Sequence, residues 1–401
     1  MEAEKKKLFA LDMRIDNRHV DVVDGIRGFS VLIVLWFHFW QQTWLMPEYP
    51  TPWLAWLGIT NLTPSHIRWV GYLFVDMMVL LSAFCLFLPV ARTILLGETA
   101  DDACTFYKKR FARIFPSYLF CVLVSFAVLL AEKGYTSAAE AARDLISHLT
   151  FTNLFRIDTY VFSKINGVLW TVALEVQFYA IFPLLAKAAK RIGLLLYPLL
   201  GGIGMACIYY WAVKAEPVSM TVNQFPVFLP VFANGFLCAL VFTWYTERCH
   251  IKRLLGVLFT MLAVLSALWI RERVVSCCNY RENKQYWQLE HRMSLSLAFS
   301  AFLLSAALAL KPLRWLFSNR FARFLGTISF NLYMWHQWII VKLSRGMGYA
   351  SGADVTAAGS RAQWTLNCAA LAISLMVAVI TTYGIEKPFR KIILSKRRDI
   401  V

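Results

Sequence analysis

Residues 22–40 read VVDGIRGFSVLIVLWFHFW, a long apolar run with Arg27 near its start and His38 deep inside it. About 18 or more apolar residues in a helix cross the ~30 Å of bilayer hydrocarbon, so this run reads as a membrane span. Further blocks of the same kind follow along the chain. They are continuous rather than alternating, which argues against a β-barrel. The chain of 401 residues is 59% hydrophobic and only 16% charged, whereas a soluble chain is about half apolar and a quarter charged. The fold class expected is all-α: a polytopic membrane protein, a bundle of about ten transmembrane helices around a central cavity. The spans are expected at roughly 26–44, 69–91, 114–131, 167–186, 193–213, 226–246, 254–270, 293–310, 327–343 and 364–386.

The net charge of +17 reads as topology rather than nucleic-acid binding. Most Lys and Arg residues fall on the side that carries both termini, among them Lys5, Lys6, Lys7, Lys108, Lys109, Arg110, Arg113, Lys396, Arg397 and Arg398. The positive-inside rule places that side in the cytoplasm. The polar stretch 271–292, with Arg271, Arg273, Arg281 and Lys284, runs against the rule and is expected as an outer loop. Residues 1–25 are polar and basic, and the apolar run after them is too long for a signal-peptide core. The organisation expected is a cytoplasmic segment 1–25, a membrane domain 26–386 and a basic cytoplasmic tail 387–401. The nine cysteines show no metal-binding spacing. Most lie in or near spans, and Cys277–Cys278 falls in the outer loop, where a disulfide to another segment or chain is open.

Ionisable side chains at membrane depth are costly and usually face a bundle interior or a wet cavity. Here they are His38, Asp76, Glu175 and His336, with Arg27 at a rim. Arg27 and His38 are eleven residues apart, close to three turns, so they share a helix face with ~16 Å between them along the axis. An arginine at the rim suits a phosphate-bearing molecule, and a histidine at mid-depth suits proton transfer. The bland alternative is an ordinary topology-setting arginine and a histidine bonded to a neighbouring helix. Glu175 either orients a histidine or bonds another helix; Gln177 and Tyr179 beyond it can also bond across helices. Asp76 either pairs with a histidine or supports its own span near Ser82. Arg110 and Arg113, one turn apart at the mouth of the third span, either hold an anionic donor or meet lipid headgroups.

Five stretches together resemble the integral-membrane acyltransferases of acyltransferase family 3. DGIRG followed by WFHF is similar to the family's opening signature of an arginine, ten residues and a histidine. FVDMMVLLSAF, RFARIFPSYLF, LWTVALEVQFYAIFPLL, and finally LGTISFNLYMWHQWII with YGIEKPFRK resemble later spans in the family's order. Two departures stand out: Ala83 replaces the usual glycine of the second span, and Val176 follows Glu175 where a second glutamate is frequent.

The resemblance implies transfer of an acyl group, mostly acetyl, from acyl-CoA to a hydroxyl of a carbohydrate, lipid-linked sugar or small-molecule acceptor. It implies a multi-pass protein of the bacterial cytoplasmic membrane, with no metal and no nucleic acid involved. His38 is then the expected catalytic histidine and general base, Glu175 a functional glutamate that orients or tunes it, and His336 a further histidine. Arg27, Arg110 and Arg113 are the expected acyl-CoA-binding residues, with Asp76 and Tyr179 in support. Two other classes stay open: a proton-coupled transporter or flippase, and a catalytically silent membrane sensor.

Overall fold

A computed structural model describes residues 20–47, 49–52, 55, 61–62, 69–214, 217–248 and 253–395. Ten long helices occupy the ten expected spans. They are α1 (Asp21–Thr43), α2 (Phe74–Leu96), α3 (Ala103–Ala131), α5 (Trp170–Ile192), α6 (Leu196–Lys214), α7 (Leu229–Arg248), α8 (Arg253–Asn279), α9 (Lys284–Leu308), α11 (Arg320–Gly346) and α12 (Ser360–Thr381). Shorter helices lie between and beyond them: α4 (Ala138–Leu149), α10 (Lys311–Ser318) and α13 (Lys387–Ser395). Eight segments of the described residues are long and apolar enough to cross a membrane, and one of them, Gly167–Trp211, contains α5 and most of α6. Helix α11 is not among them, because Arg320, Arg323, Asn331, His336, Gln337, Lys342 and Arg345 lower its hydropathy. Its core-facing residues are instead buried between α1 and α12. The only β-structure among the described residues is an antiparallel pair of two-residue strands, in which Tyr49 faces Leu62 and Pro50 faces Asn61. The protein is an all-α, multi-pass integral membrane protein.

The stretch 271–292 is not a loop. Helix α8 runs on to Asn279 and α9 begins at Lys284, capped by the Asn283 side chain, which accepts from the Gln285 amide. Hydropathy marks the apolar part of a helix, and both helices continue past it. Helix α3 likewise starts at Ala103, eleven residues before the expected span, which makes Arg110 and Arg113 helical. Lys5, Lys6, Lys7, Lys396, Arg397 and Arg398, which carry part of the orientation argument, lie outside the described residues, as do most of segment 1–25 and the end of the tail. Cys277 and Cys278 are both free thiols.

Two close crossings organise the bundle. Helices α1 and α11 run side by side because glycines let their backbones touch, as in many membrane helix pairs. A Cβ on Gly28 would lie 2.7 Å from Leu325 Cβ and 2.9 Å from the Gly326 nitrogen, and one on Gly326 would lie 2.4 Å from the Asp24 carbonyl oxygen. Helices α2 and α7 meet at Ala83 and Gly235, where a Cβ on Gly235 would come within 2.4 Å of the Ala83 methyl. The small residue absent from position 83 is thus supplied by the partner helix. Around this second crossing the core is aromatic: Phe178 and Phe232 stack with centroids 3.6 Å apart, and Phe87 touches Phe182 and Phe236 at 5.0 Å. Such rings bury large apolar areas and fix helix separation by shape.

Candidate active site

Helices α1, α2, α3, α5, α7 and α11 enclose a cavity of about 70 Å³, room for only a few water molecules. Arg27 from α1, Arg113 from α3 and Glu175 from α5 line it, together with the hydroxyls of Ser82, Thr171, Ser329 and Tyr333. The sequence placed these three charged residues on three separate helices, and the fold brings them to one chamber. Arg27 donates from Nη1 to Asp24 Oδ1 at 3.4 Å and from Nη2 to Cys85 Sγ at 3.6 Å. Arg113 lies in the field of Glu175, Tyr179, Glu386 and Cys85. Glu386 was not singled out in the sequence. A π-helical turn, Thr382–Glu386, carries it, and Asn331 Nδ2 donates to its carboxylate at 2.8 Å and to Thr382 Oγ1 at 2.9 Å. Asn331, a carboxamide within the penultimate span, was the signal for this contact.

Tyr179 separates this chamber from a second space. Its hydroxyl donates to Glu175, one turn earlier on α5. Its ring faces the Arg110 guanidinium, whose carbon is 5.6 Å from the Tyr179 centroid and 5.4 Å from that of Phe106. Arg110 lines an apolar cleft between α3 and α5 with Tyr107, Phe111, Phe115, Phe151 and Val176. Arg110 and Arg113 therefore face different spaces, although they were expected to act together.

The two histidines meet. Their ring centroids are 5.1 Å apart, His38 on α1 and His336 on α11. His336 is fully buried and its Nδ1 donates to the Tyr333 carbonyl at 2.6 Å, which leaves the lone pair on Nε2, an atom with no hydrogen-bond partner. His38 Nδ1 lies 2.9 Å from Gln41 Oε1 and 3.1 Å from Gln337 Nε2. Tyr333 lines the cavity, so the histidine pair sits one helical turn beyond it. No contact among the described residues joins Glu175 to His38; the bonded partner of Glu175 is Tyr179.

Asp76 stands apart from these groups. Arg292 Nε donates to its Oδ2 at 3.1 Å and Gln288 Nε2 to its Oδ1 at 3.4 Å. Arg292 also donates to the Val222 carbonyl at 2.7 Å and lies over the Phe228 ring at 4.0 Å. Of the two readings open for Asp76, a bond to a histidine and structural support, the geometry matches support. Arg292 was missed because it was assigned to the outer loop. Among the described residues no three His, Cys, Asp or Glu side chains converge as a metal site.

Known proteins give this geometry its class. The family described as "Acyltransferase domain" matches residues 20–383, nearly the whole chain. The chain belongs to this acyltransferase family. The relatives agree with the match. Acyltransferase MdmB of Streptomyces mycarofaciens is 24% identical over 397 residues, covering 94% of this chain and 92% of that protein. Peptidoglycan O-acetyltransferase OatA of Listeria monocytogenes is 22% identical over 358 residues, covering 82% of this chain and 50% of that protein, so the match spans about half its length. No solved structure matches the chain. The activity that follows from membership is acyl transfer, and the acyltransferase carries its charged and titratable groups in one helical bundle.

Proposed function

We propose that this acyltransferase moves an acyl group, acetyl in the simplest case, from acyl-CoA on the cytoplasmic side to a hydroxyl of a carbohydrate or related cell-surface acceptor. The observation that carries the reading is the pairing of His38 with His336 one turn beyond a chamber lined by Arg27 and Arg113. Guanidinium groups bind phosphate oxygens through charge-assisted, often paired, hydrogen bonds, and each has five donors. The contacts of Arg27 with Asp24 and Cys85 leave donors for an anion. Both termini then lie in the cytoplasm, with Arg27 near that surface and His38 deeper.

The transfer is written with His38 as base. Its Nε2 removes the proton of the acceptor hydroxyl as the oxygen attacks the thioester carbonyl. The tetrahedral adduct collapses, the carbon–sulfur bond breaks, and the imidazolium returns the proton to the departing thiolate. The products are an ester and free CoA thiol. A positioned base of this kind contributes roughly 10²–10⁴-fold. Family membership favours this reading over a proton-coupled transporter, which would release no thiol.

The test is thiol release from acetyl-CoA by the purified protein in nanodiscs, with a panel of hydroxyl acceptors. His38→Ala is expected to abolish release while the protein remains monodisperse. Release that survives His38→Ala removes His38 from the chemistry. No release with any acyl-CoA or acceptor, from folded protein, removes the donor.

A further inference from the structure

Helix α10 crosses one end of the gap between α1 and α8. At its start the Leu310 amide donates to Thr260 Oγ1 of α8 at 3.0 Å, and a Cβ on Gly256 would lie 2.8 Å from the Leu310 side chain. At its end Phe317 rests its backbone on Gly25 of α1, and its ring meets that of Phe29 edge to face at 5.7 Å. Helix α8 otherwise packs along α9 and stands off α1. Below α10 the gap is a groove of about 210 Å³, against about 70 Å³ for the chamber at Arg27. Ile26, Phe29 and Ile33 of α1 line one side, Ala267 and Ile270 of α8 the other, with Phe302 of α9. Ser30 is the polar residue of the lining, and its hydroxyl is spent on the Ile26 carbonyl at 2.8 Å. Ile26 and Ile33 are seven residues apart, about 10 Å along the helix. The groove therefore runs from α10 into the membrane, parallel to the helices, as an acyl chain does.

The charges stand at the α10 end. Helix α10 contributes Lys311 and Arg314 and has no acidic residue. Arg314 lies three residues before Phe317, so the two share a helix face. The Arg314 Nε is buried and has no hydrogen-bond partner. The carboxylate whose field reaches it is Asp21, which is ion-paired with Arg323 at 3.6 Å. The edge is thus cationic, with Lys311, Arg314 and Arg323 against Asp21. We propose that this is the seat of one anionic phospholipid from the leaflet on the α10 side. Its acyl chain lies between α1 and α8, and its phosphate oxygens accept from Arg314 and Lys311. A cation near an anionic lipid headgroup gains affinity from net charge, and guanidinium groups pair well with phosphate. Gly28, at the crossing with α11, and Ser30, in the groove, point about 200° apart around α1. The lipid then backs α1 from the face opposite α11. The proposal is independent of the reading of His38.

The test uses the full chain, purified in detergent and washed free of lipid. Phosphatidylglycerol or phosphatidylcholine with the same chains is added back. Native mass spectrometry reads the number of lipids retained and their affinity, and thermal unfolding reads the stabilisation. Wild type is expected to hold one phosphatidylglycerol roughly tenfold more tightly than phosphatidylcholine, and to unfold at a higher midpoint with it. Arg314→Gln is expected to weaken that lipid roughly fivefold, the worth of one cation at an anionic headgroup. Arg314→Lys keeps the charge and should keep much of the affinity. Ala267→Phe fills the groove without altering a charge, and is expected to remove the tight lipid. Should that variant not fold, Ala267→Leu carries the same comparison. Glycerol phosphate, which has no chains, is expected to give no stabilisation. Equal affinity for the two lipids overturns the anionic ligand. Tight binding that survives filling of the groove puts the lipid on the basic edge alone and overturns the seat for its chain. Stabilisation by glycerol phosphate equal to that by the lipid marks a free-phosphate site and overturns the proposal as well.

Discussion

Asp76 and Arg292, 216 positions apart in the chain, form an ion pair at 3.1 Å in which neither side chain is exposed. Breaking a buried pair by removing one partner strands the other charge and typically costs about 3–5 kcal/mol. Arg292→Leu is therefore expected to lower the midpoint of thermal unfolding in detergent sharply. The double variant Asp76→Leu/Arg292→Leu is expected to recover much of that loss. A double variant no more stable than Arg292→Leu alone would show that the pair itself is needed.

Arg27 and Arg113 should act on donor affinity. Lysine keeps the charge but loses the planar fork that matches phosphate oxygens. Arg27→Lys and Arg113→Lys are each expected to raise KM for acetyl-CoA roughly tenfold, with a smaller change in kcat. Arg110→Lys, on the far side of Tyr179, is expected to leave KM within about twofold. Equal effects at all three positions would show that the chamber does not discriminate between them.

Tyr179 holds Glu175. Removing its hydroxyl leaves a half-buried carboxylate short of one donor, a cost of about 1 kcal/mol. Tyr179→Phe is expected to lower both stability and activity. Adding Glu175→Gln to Tyr179→Phe should cost little more, since the two residues form one unit. Additive losses in a double-mutant cycle would separate them.

The α1–α11 crossing depends on glycine. A larger residue at Gly28 or Gly326 must push the helices apart, and overpacking typically costs about 1–3 kcal/mol. Gly326→Val is expected to lower the unfolding midpoint far more than Gly346→Val, since nothing lies within 4 Å of a Cβ at Gly346. Similar losses at both sites would show that the crossing has slack.

A pH effect is expected at α4, outside the spans. The bond from Lys164, then those from the Thr136 amide and hydroxyl, hold the Glu140 carboxyl down at about 2, against an ordinary value of 4.5. A carboxyl depressed in the folded state contributes stability that is present above its unfolded value and lost as pH falls through the folded one. Amide exchange in α4, corrected for its intrinsic pH dependence, should therefore rise between about pH 4.5 and 2. Glu140→Gln should flatten that rise. The carboxylate is exposed, so solvent screening keeps the effect small.

Most of the long helices were legible because lipid demands long apolar runs. The shared face of Arg27 and His38 was legible because helical geometry alone sets it. The partner of Asp76 was not. Arg292 sits in RENKQYWQLEHR (281–292), which hydropathy reads as a loop although α9 has begun within it. The parting of Arg110 from Arg113 was also hidden. Three residues leave about 60° between side chains on a helix, and only the position of α5 decides that Tyr179 falls between them. Gln41 lay open to a reading of α1, one turn past His38, but Gln337 could not be matched to His38 before the helices were in register.

Gly28 precedes His38 by ten residues, and Gly326 precedes His336 by ten. The crossing of α1 and α11 is thus a fulcrum, and the two imidazoles ride at the ends of matched arms about 15 Å long. A change of about 4° in the crossing angle swings one ring past the other by about 1 Å over an arm of that length, and a misplacement of that size can cost about 10²-fold in rate. On the reading of His38 as the base, the tolerance of the proposed transfer is set by two hydrogen-only side chains that lie three turns away from it.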